Sequence, residues 1–558
     1  MLNRRQVLLS GAAFGAGLAF AGSDNFARQP SSEPFGQDLL IINARAMTLD
    51  PRQPEAEAIL IKHGRIAFVG GAAEARARGK GRAVFDAAGR TIIPGFIDGH
   101  THLEWFSESF SFHTQLPADL KSLQDMFAIL RQAAARTPAG HWVIGRGYFS
   151  INTQVVEKRL ATRLELDAIS TDHPIVLFSS VHEASLNSRA FKMLGLWTEG
   201  EQKAMSWKDG RPRIGTLIYR DAEGVPTGVT TEIYDLILDQ PLFPIADRMA
   251  AYALHAREDY ASKGITAIVD MSGQPDHIKA DRMGQNRGEL PLRIRMFHMV
   301  PNADTLDQMV GRGLKRGDGD DLYRFAGVKV FVDGDGDDGM GHEITDLKWT
   351  QEDLNKTVLR CNQAGYPMVF HVVTKGGFDY TLNALEFAEL RAPRGLRHQI
   401  HHLGGLLNDA TARARVKSLG TVLGLTRADR GDAWPEEVDY RGLLDEGLKP
   451  LCVSDSAGSF RNFSALDGIA SLVLPPSEGG VLRVGRTVSL EEGLRMWTST
   501  AAYANYEEHN MGSISVGKLG DLSVLSQDPR TLRGRELYDV KIQAVVLGGR
   551  VVFEKSAA

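Results

Sequence analysis

Two histidines with one residue between them, in Gly99-His100-Thr101-His102, are the first residues here whose spacing suggests chemistry. They end an apolar run beginning at Thr91, and side chains two apart on a strand share a face, so both imidazoles address one place. Three more candidates end apolar runs of their own: His371 in Met368-Val369-Phe370-His371, His402 in Ile400-His401-His402-Leu403, and Asp455 in Cys452-Val453-Ser454-Asp455. Imidazole nitrogen and carboxylate oxygen together suit a divalent metal, zinc first among them. A metal on such ligands lowers the pKa of a bound water toward about 7 and polarises a carbonyl, so the expected chemistry is hydrolysis.

The elements that would position these residues follow from the pattern of the chain. Between Thr91 and Asp455 short continuous apolar runs alternate with amphipathic stretches, as when parallel strands are covered on both faces by crossover helices. The runs are 91–102, 265–271, 292–299, 327–333, 367–373, 397–403, 421–426 and 448–455. Helical patterns lie between most of them, among them 379–390 and a final helix from the capping box Ser489-Leu490-Glu491-Glu492 to about Ala504. The pattern predicts an α/β fold, a (β/α)8 TIM-type barrel over 91–102 and 263–504 with its site at the C-terminal strand ends. The interval 103–262 is too long for one crossover and predicts an inserted subdomain. Short strands with tight turns at both ends, 38–90 and 505–556, predict one composite β-sandwich domain.

Residues 1–21 read as a twin-arginine signal peptide, with Arg4-Arg5 before an apolar run that closes on Ala19-Phe20-Ala21. Residues 22–37 read as a linker. The expected location is periplasmic or secreted, without a stable membrane anchor once the signal is cleaved. With 64 Lys and Arg against 69 Asp and Glu and no basic block, nucleic acid is not an expected partner. A small-molecule substrate is, and homo-oligomerisation stays open. The two cysteines, Cys361 and Cys452, exclude a disulfide scaffold and a thiolate cluster and are expected to be buried thiols.

Beyond the histidines, several motifs stand out. They are Ile93-Pro94-Gly95-Phe96-Ile97-Asp98-Gly99-His100-Thr101-His102, Trp142-Val143-Ile144-Gly145-Arg146-Gly147, Gly224-Val225-Pro226-Thr227-Gly228, Gly327-Val328-Lys329-Val330-Phe331-Val332-Asp333-Gly334, and Gly512-Ser513-Ile514 leading into Gly517-Lys518-Leu519-Gly520-Asp521-Leu522. With these the chain resembles the amidohydrolase superfamily, in the family 3 branch that includes N-substituted formamide deformylases. The resemblance implies one or two divalent metals and hydrolysis of amide-type C–N bonds in N-acyl, formamide or cyclic amide substrates. Asp455 would then be a ligand and the base that relays the water's proton to the leaving nitrogen. The alternatives are an ester, carbamate or lactam hydrolase on the same site, and a non-catalytic regulatory protein of this fold. The chain departs from the usual pattern in His371-Val372-Val373-Thr374-Lys375, in His401 where a Glu is usual, and in the acidic run Asp333 to Asp338.

Lys329 shares strand parity with Phe331 and Asp333. In related enzymes a strand-four lysine is carboxylated by CO2 and bridges two metals, so Lys329 is either such a ligand or an edge lysine paired with the acidic loop; Asp333 is a rival ligand. His401 has the opposite parity to His402 and reads as an outer-shell donor or a core residue. His398 and His298 read as packing, and the acidic run around Asp335 as a solvated loop. His182, in Val181-His182-Glu183-Ala184-Ser185-Leu186-Asn187, resembles a family segment of the insert and is expected to donate to the substrate carbonyl.

Overall fold

The computed structural model describes residues 34–117, 119–147, 151–179, 183–197, 218–231, 233, 237, 243–300, 303–333, 347–426, 438–456 and 463–555. The twin-arginine segment, most of the linker, His182 and the acidic run after Asp333 lie outside the described residues.

Eight parallel strands make one sheet: Phe96–Thr101, Ile265–Asp270, Arg293–Met299, Tyr323–Phe331, Met368–His371, Gln399–His401, Val422–Thr426 and Pro450–Val453. Each apolar run of the sequence supplies one of them, and burial on both faces is the reason those runs are continuous rather than alternating. Backbone bonds join the eighth strand's end to the first: Asp455 N–H donates to His100 O at 2.9 Å and His102 N–H to Ser456 O at 3.2 Å. Those bonds close the sheet into a barrel, which leaves no strand edge open there.

The run 91–102 is two strands rather than one. Thr91–Pro94 pairs with Arg45–Met47 and Leu522–Leu525 in a separate six-stranded sheet, and Phe96–Thr101 alone opens the barrel. Gly95 makes the change of sheet where the chain runs against the second barrel strand; a Cβ there would lie 2.2 Å from Thr266 Oγ1. The same six-stranded sheet takes Glu55–Ala56 from the first part of the chain and Ile542–Leu547 and Arg550–Glu554 from the last. A four-stranded sheet, of Leu39–Ile42, Ala58–Lys62, Arg65–Gly70 and Ala83–Asp86, shares one apolar core with it, Ile41, Ile59 and Ile61 packing with Ile92, Val524 and Val546.

Within 103–262 a third sheet runs from Thr114–Gln115 to Pro226–Thr231. The flanks of that interval belong to the barrel's packing instead. Helix Leu103–Phe112 gives Leu103 and Phe106 to the barrel core, and helix Ile245–His255 gives Met249 and Tyr252. The last helical stretch starts on the expected capping box, Ser489 with Glu492, but is two helices, Leu490–Met496 and Ser499–Ala504. The break frees the carbonyl of Trp497 to accept Ile97 N–H at 2.7 Å, which ties this segment to the first barrel strand. Among the described residues no helix is long and apolar enough to cross a membrane. Both cysteines are buried thiols.

Candidate metal centre

The closure of the barrel sets the end of its first strand beside the end of its eighth. Asp98 Oδ1 accepts Ser454 N–H at 3.0 Å, and the hydroxyls of Thr101, Tyr260 and Ser456 form a buried triangle with sides of 2.7, 2.6 and 2.5 Å. Asp455 follows with φ of 50°, a left-handed conformation that costs a residue with a Cβ about 1–3 kcal/mol and that the surrounding bonds impose.

There the carboxylate of Asp455 meets both strand-one imidazoles. His100 Nε2 and His102 Nε2 stand 3.3 Å apart, and Asp455 Oδ1 lies 3.7 Å from each. Two nitrogens each about 2.0–2.1 Å from one tetrahedral ion would be separated by about 3.3–3.4 Å, so the histidine pair has the spacing of one edge of such a site. These three residues are a compact donor group, their ligand atoms all within 4.8 Å of one another. The donors fit a divalent ion. Burial, reinforced by the field of Lys329 and the neighbouring rings, pushes the His100 pKa well below the ordinary histidine value and holds the ring neutral, the state in which it can be a ligand. His102 is stacked on Trp105, ring centroids 4.5 Å apart, which fixes its plane.

The other sequence-derived candidates line the same interior but stand outside that group. His402 Nδ1 is 3.9 Å from Asp455 Oδ2, and its ring centroid lies 4.9 Å from that of His100 and 4.6 Å from that of His371. Lys329 is fully buried on the fourth strand, its Nζ without a hydrogen-bond partner among the described residues and 4.9 Å from the centroid of Phe331. Burial pushes its pKa down to about 7, against the opposing pull of Asp455.

Of the two readings from strand parity, that of His401 as an outer-shell or core residue stands and that of Asp333 changes. His401 stands behind the centre rather than in it: its Nδ1 lies 2.7 Å from His100 Nδ1, on the side of that ring away from Nε2. Alternation separates His401 from His402 only while both are extended, and His402 has φ of 72°. Gly424, paired with His401 on the neighbouring strand, makes room for that ring, because a Cβ at 424 would lie 2.2 Å from its Cδ2. Asp333 is not placed as a rival ligand. Its carboxylate accepts Thr374 N–H at 2.8 Å and Val373 N–H at 3.0 Å, anchoring the chain after His371. Asp270 does the same after His102, accepting Leu103 N–H at 2.8 Å. These backbone anchors have no sequence spacing that would reveal them. His398 is a hydrogen-bonded core histidine, and His298 is buried against Phe325.

Compared with known proteins, residues 83–553 match the model of the amidohydrolase family. The chain belongs to that family. This amidohydrolase is a metal-dependent hydrolase of C–N bonds, and the resemblance read from its motifs holds across the barrel, the insert and the C-terminal strands. It is 25% identical to the N-substituted formamide deformylase of Arthrobacter pascens, over 94% of this chain and 99% of that one. It is 24% identical to Protein LONG AFTER FAR-RED 3 of Arabidopsis thaliana, over 92% of this chain and 91% of that one. The amidohydrolase shares its fold with the crystal structure of an uncharacterized metal-dependent hydrolase from Pyrococcus horikoshii OT3, with a TM-score of 0.66 and 19% identity over 89% of this chain and 99% of that one.

Proposed function

We propose that this amidohydrolase is an exported zinc enzyme that cleaves the amide-type C–N bond of a small N-acyl, formamide or cyclic amide substrate. The observation that carries the reading is the convergence of His100, His102 and Asp455 at the C-terminal end of the barrel, with the nitrogen spacing of a tetrahedral site. Similarity to a formamide deformylase over 94% of the chain supports an amide over an ester. Export to the periplasm or beyond rests on the Arg4-Arg5 leader.

A bound divalent ion supplies Lewis acidity to the scissile carbonyl and acidity to the attacking water. Asp455 takes that water's proton on its carboxylate and delivers it to the leaving nitrogen. His182, from the sequence match alone, donates to the substrate carbonyl. The products are an amine and a carboxylic acid.

Lys329 is carboxylated in this reading and helps to hold a second ion. A buried amine with no hydrogen-bond partner among the described residues and a pKa of about 7 is neutral in an appreciable fraction of molecules at neutral pH. The neutral amine adds to the carbon of CO2, loses one proton, and becomes an anionic carbamate with two ligand oxygens.

Zinc-loaded protein offered a panel of N-acyl, formamide and cyclic amides should hydrolyse at least one, giving amine and acid in equal amounts from an acyclic amide and a single ring-opened amino acid from a cyclic one. Turnover of esters or carbamates alone would overturn the amide assignment.

A further inference from the structure

The ring of His100 can serve as a ligand through Nε2 only if its proton sits on Nδ1, and a chain of hydrogen bonds behind the ring decides where that proton is. The far end of the chain is unambiguous. Asn505 Nδ2 donates to the carbonyl of Ala501 at 2.8 Å, so Asn505 turns its oxygen the other way. The amide nitrogen of Gln399 faces that oxygen at 3.4 Å and the carbonyl of Ala504 at 3.3 Å. Both are acceptors, so Gln399 must present Oε1 to its other neighbour, His401 Nε2, 3.1 Å away.

An amide oxygen only accepts, which places a hydrogen on His401 Nε2. In the neutral ring Nδ1 of His401 is then a lone pair. It faces His100 Nδ1 at 2.7 Å, and one of those two atoms must carry the hydrogen, so His100 Nδ1 donates. The lone pair of His100 is left on Nε2, the atom 3.3 Å from His102 Nε2 and 3.7 Å from Asp455 Oδ1. Every member is buried: His100, Gln399 and His401 are at most 1% exposed and Asn505 8%, so water does not compete for the inner links.

We infer that His401 is a positioning residue, the link of a proton-ordered relay from the Ala504 carbonyl through Gln399 that commits His100 to present Nε2 to the metal. The relay rests on the reading of His100 as a ligand. Fixing the tautomer in advance removes from metal binding the cost of moving a buried proton.

The test is zinc affinity of the metal-stripped full chain, by competition with a chromophoric chelator, with circular dichroism to verify folding. His401→Leu, which removes the acceptor, should bind zinc about 10–100-fold more weakly, and His401→Asn, whose side-chain oxygen can accept from His100 Nδ1, should stay within about threefold of the unmodified chain. A leucine variant that binds as tightly as the unmodified chain overturns the relay, as does an asparagine variant weakened as much as the leucine one. If the leucine variant does not fold, Gln399→Met decides: several-fold weaker binding supports the relay and unchanged affinity overturns it. His100→Ala separates the two readings. Unchanged zinc affinity there removes the ligand itself, whereas weak binding there with tight binding by His401→Leu removes only the relay.

Discussion

His100 Nε2 and His102 Nε2 approach to 3.3 Å on the inner wall of the barrel, closer than two imidazoles need to come for packing alone. At that distance the two nitrogens either share one hydrogen or both turn lone pairs to a cation, and Asp455 Oδ1, 3.7 Å from each, supplies the third donor of the second arrangement. The protein should therefore carry at least one divalent ion when purified natively. Replacing both residues by alanine should abolish that binding while the barrel remains folded. Elemental analysis showing less than about 0.1 metal per chain, with none taken up on reconstitution, would dismiss the centre.

Much of this centre is legible in the sequence, because both faces of a parallel strand are buried and a polar residue at its end is conspicuous. His100, His371, His402 and Asp455 stand out in that way. What the sequence hides has identifiable causes. A continuous apolar run does not announce that Gly95 carries it from one sheet to another. Alternation sets His401 apart from His402, and only the left-handed backbone of His402 brings both toward His100. Asp98, Asp270 and Asp333 hold backbone far away in sequence, and the helix break at Trp497 serves a distant partner in the first barrel strand, Ile97, so no local pattern marks either.

In the proposed reading Lys329 decides the number of ions. Its Nζ is buried with no hydrogen-bond acceptor among the described residues, and burial disfavours its ammonium form against the opposing pull of Asp455. Carboxylation, as proposed, would convert that amine into a ligand. The unmodified protein reconstituted with zinc and bicarbonate should hold two ions per chain, and Lys329→Ala should hold one and lose most activity. An unchanged metal count in the variant would return Lys329 to a structural role.

His398 provides a test of the core that does not involve the metal. Its Nδ1 accepts Met368 N–H at 3.2 Å and its Nε2 lies 2.9 Å from Asn362 Oδ1, so the native ring is neutral with its hydrogen on Nε2. Burial pushes its pKa down to about 3. The unfolded chain takes up a proton on this ring below about pH 6.5 and the native one does not, so the unfolded state binds more protons and stability falls with pH in that window. The contribution is complete above about pH 6.5 and declines toward about pH 3 by up to about 1.4 kcal/mol per unit. His398→Gln does not titrate there. The stability gap between the unmodified chain and that variant, measured as denaturant midpoints, should narrow from pH 7 to pH 5. A gap that stays constant or widens would contradict the assignment.

In the proposed reading Asp455 moves the proton. Its carboxylate lies 3.7 Å from both strand-one Nε2 atoms, and its position is fixed from two sides, by its own N–H to His100 O and by Ser454 N–H to Asp98. A carboxylate beside a cation stays ionised at neutral pH, so it is ready to accept a proton as the attacking water loses it. Asp455→Asn retains the shape and an oxygen that can act as a ligand, but its amide cannot serve as that base. General-base contributions are typically about 10² to 10⁴-fold, so kcat should fall by that factor while zinc remains bound. Measuring metal content and kcat on the same preparation separates the two roles. Lost metal with lost activity would make Asp455 chiefly a ligand, and full occupancy with near-native kcat would take the proton transfer away from it and move the search to His182.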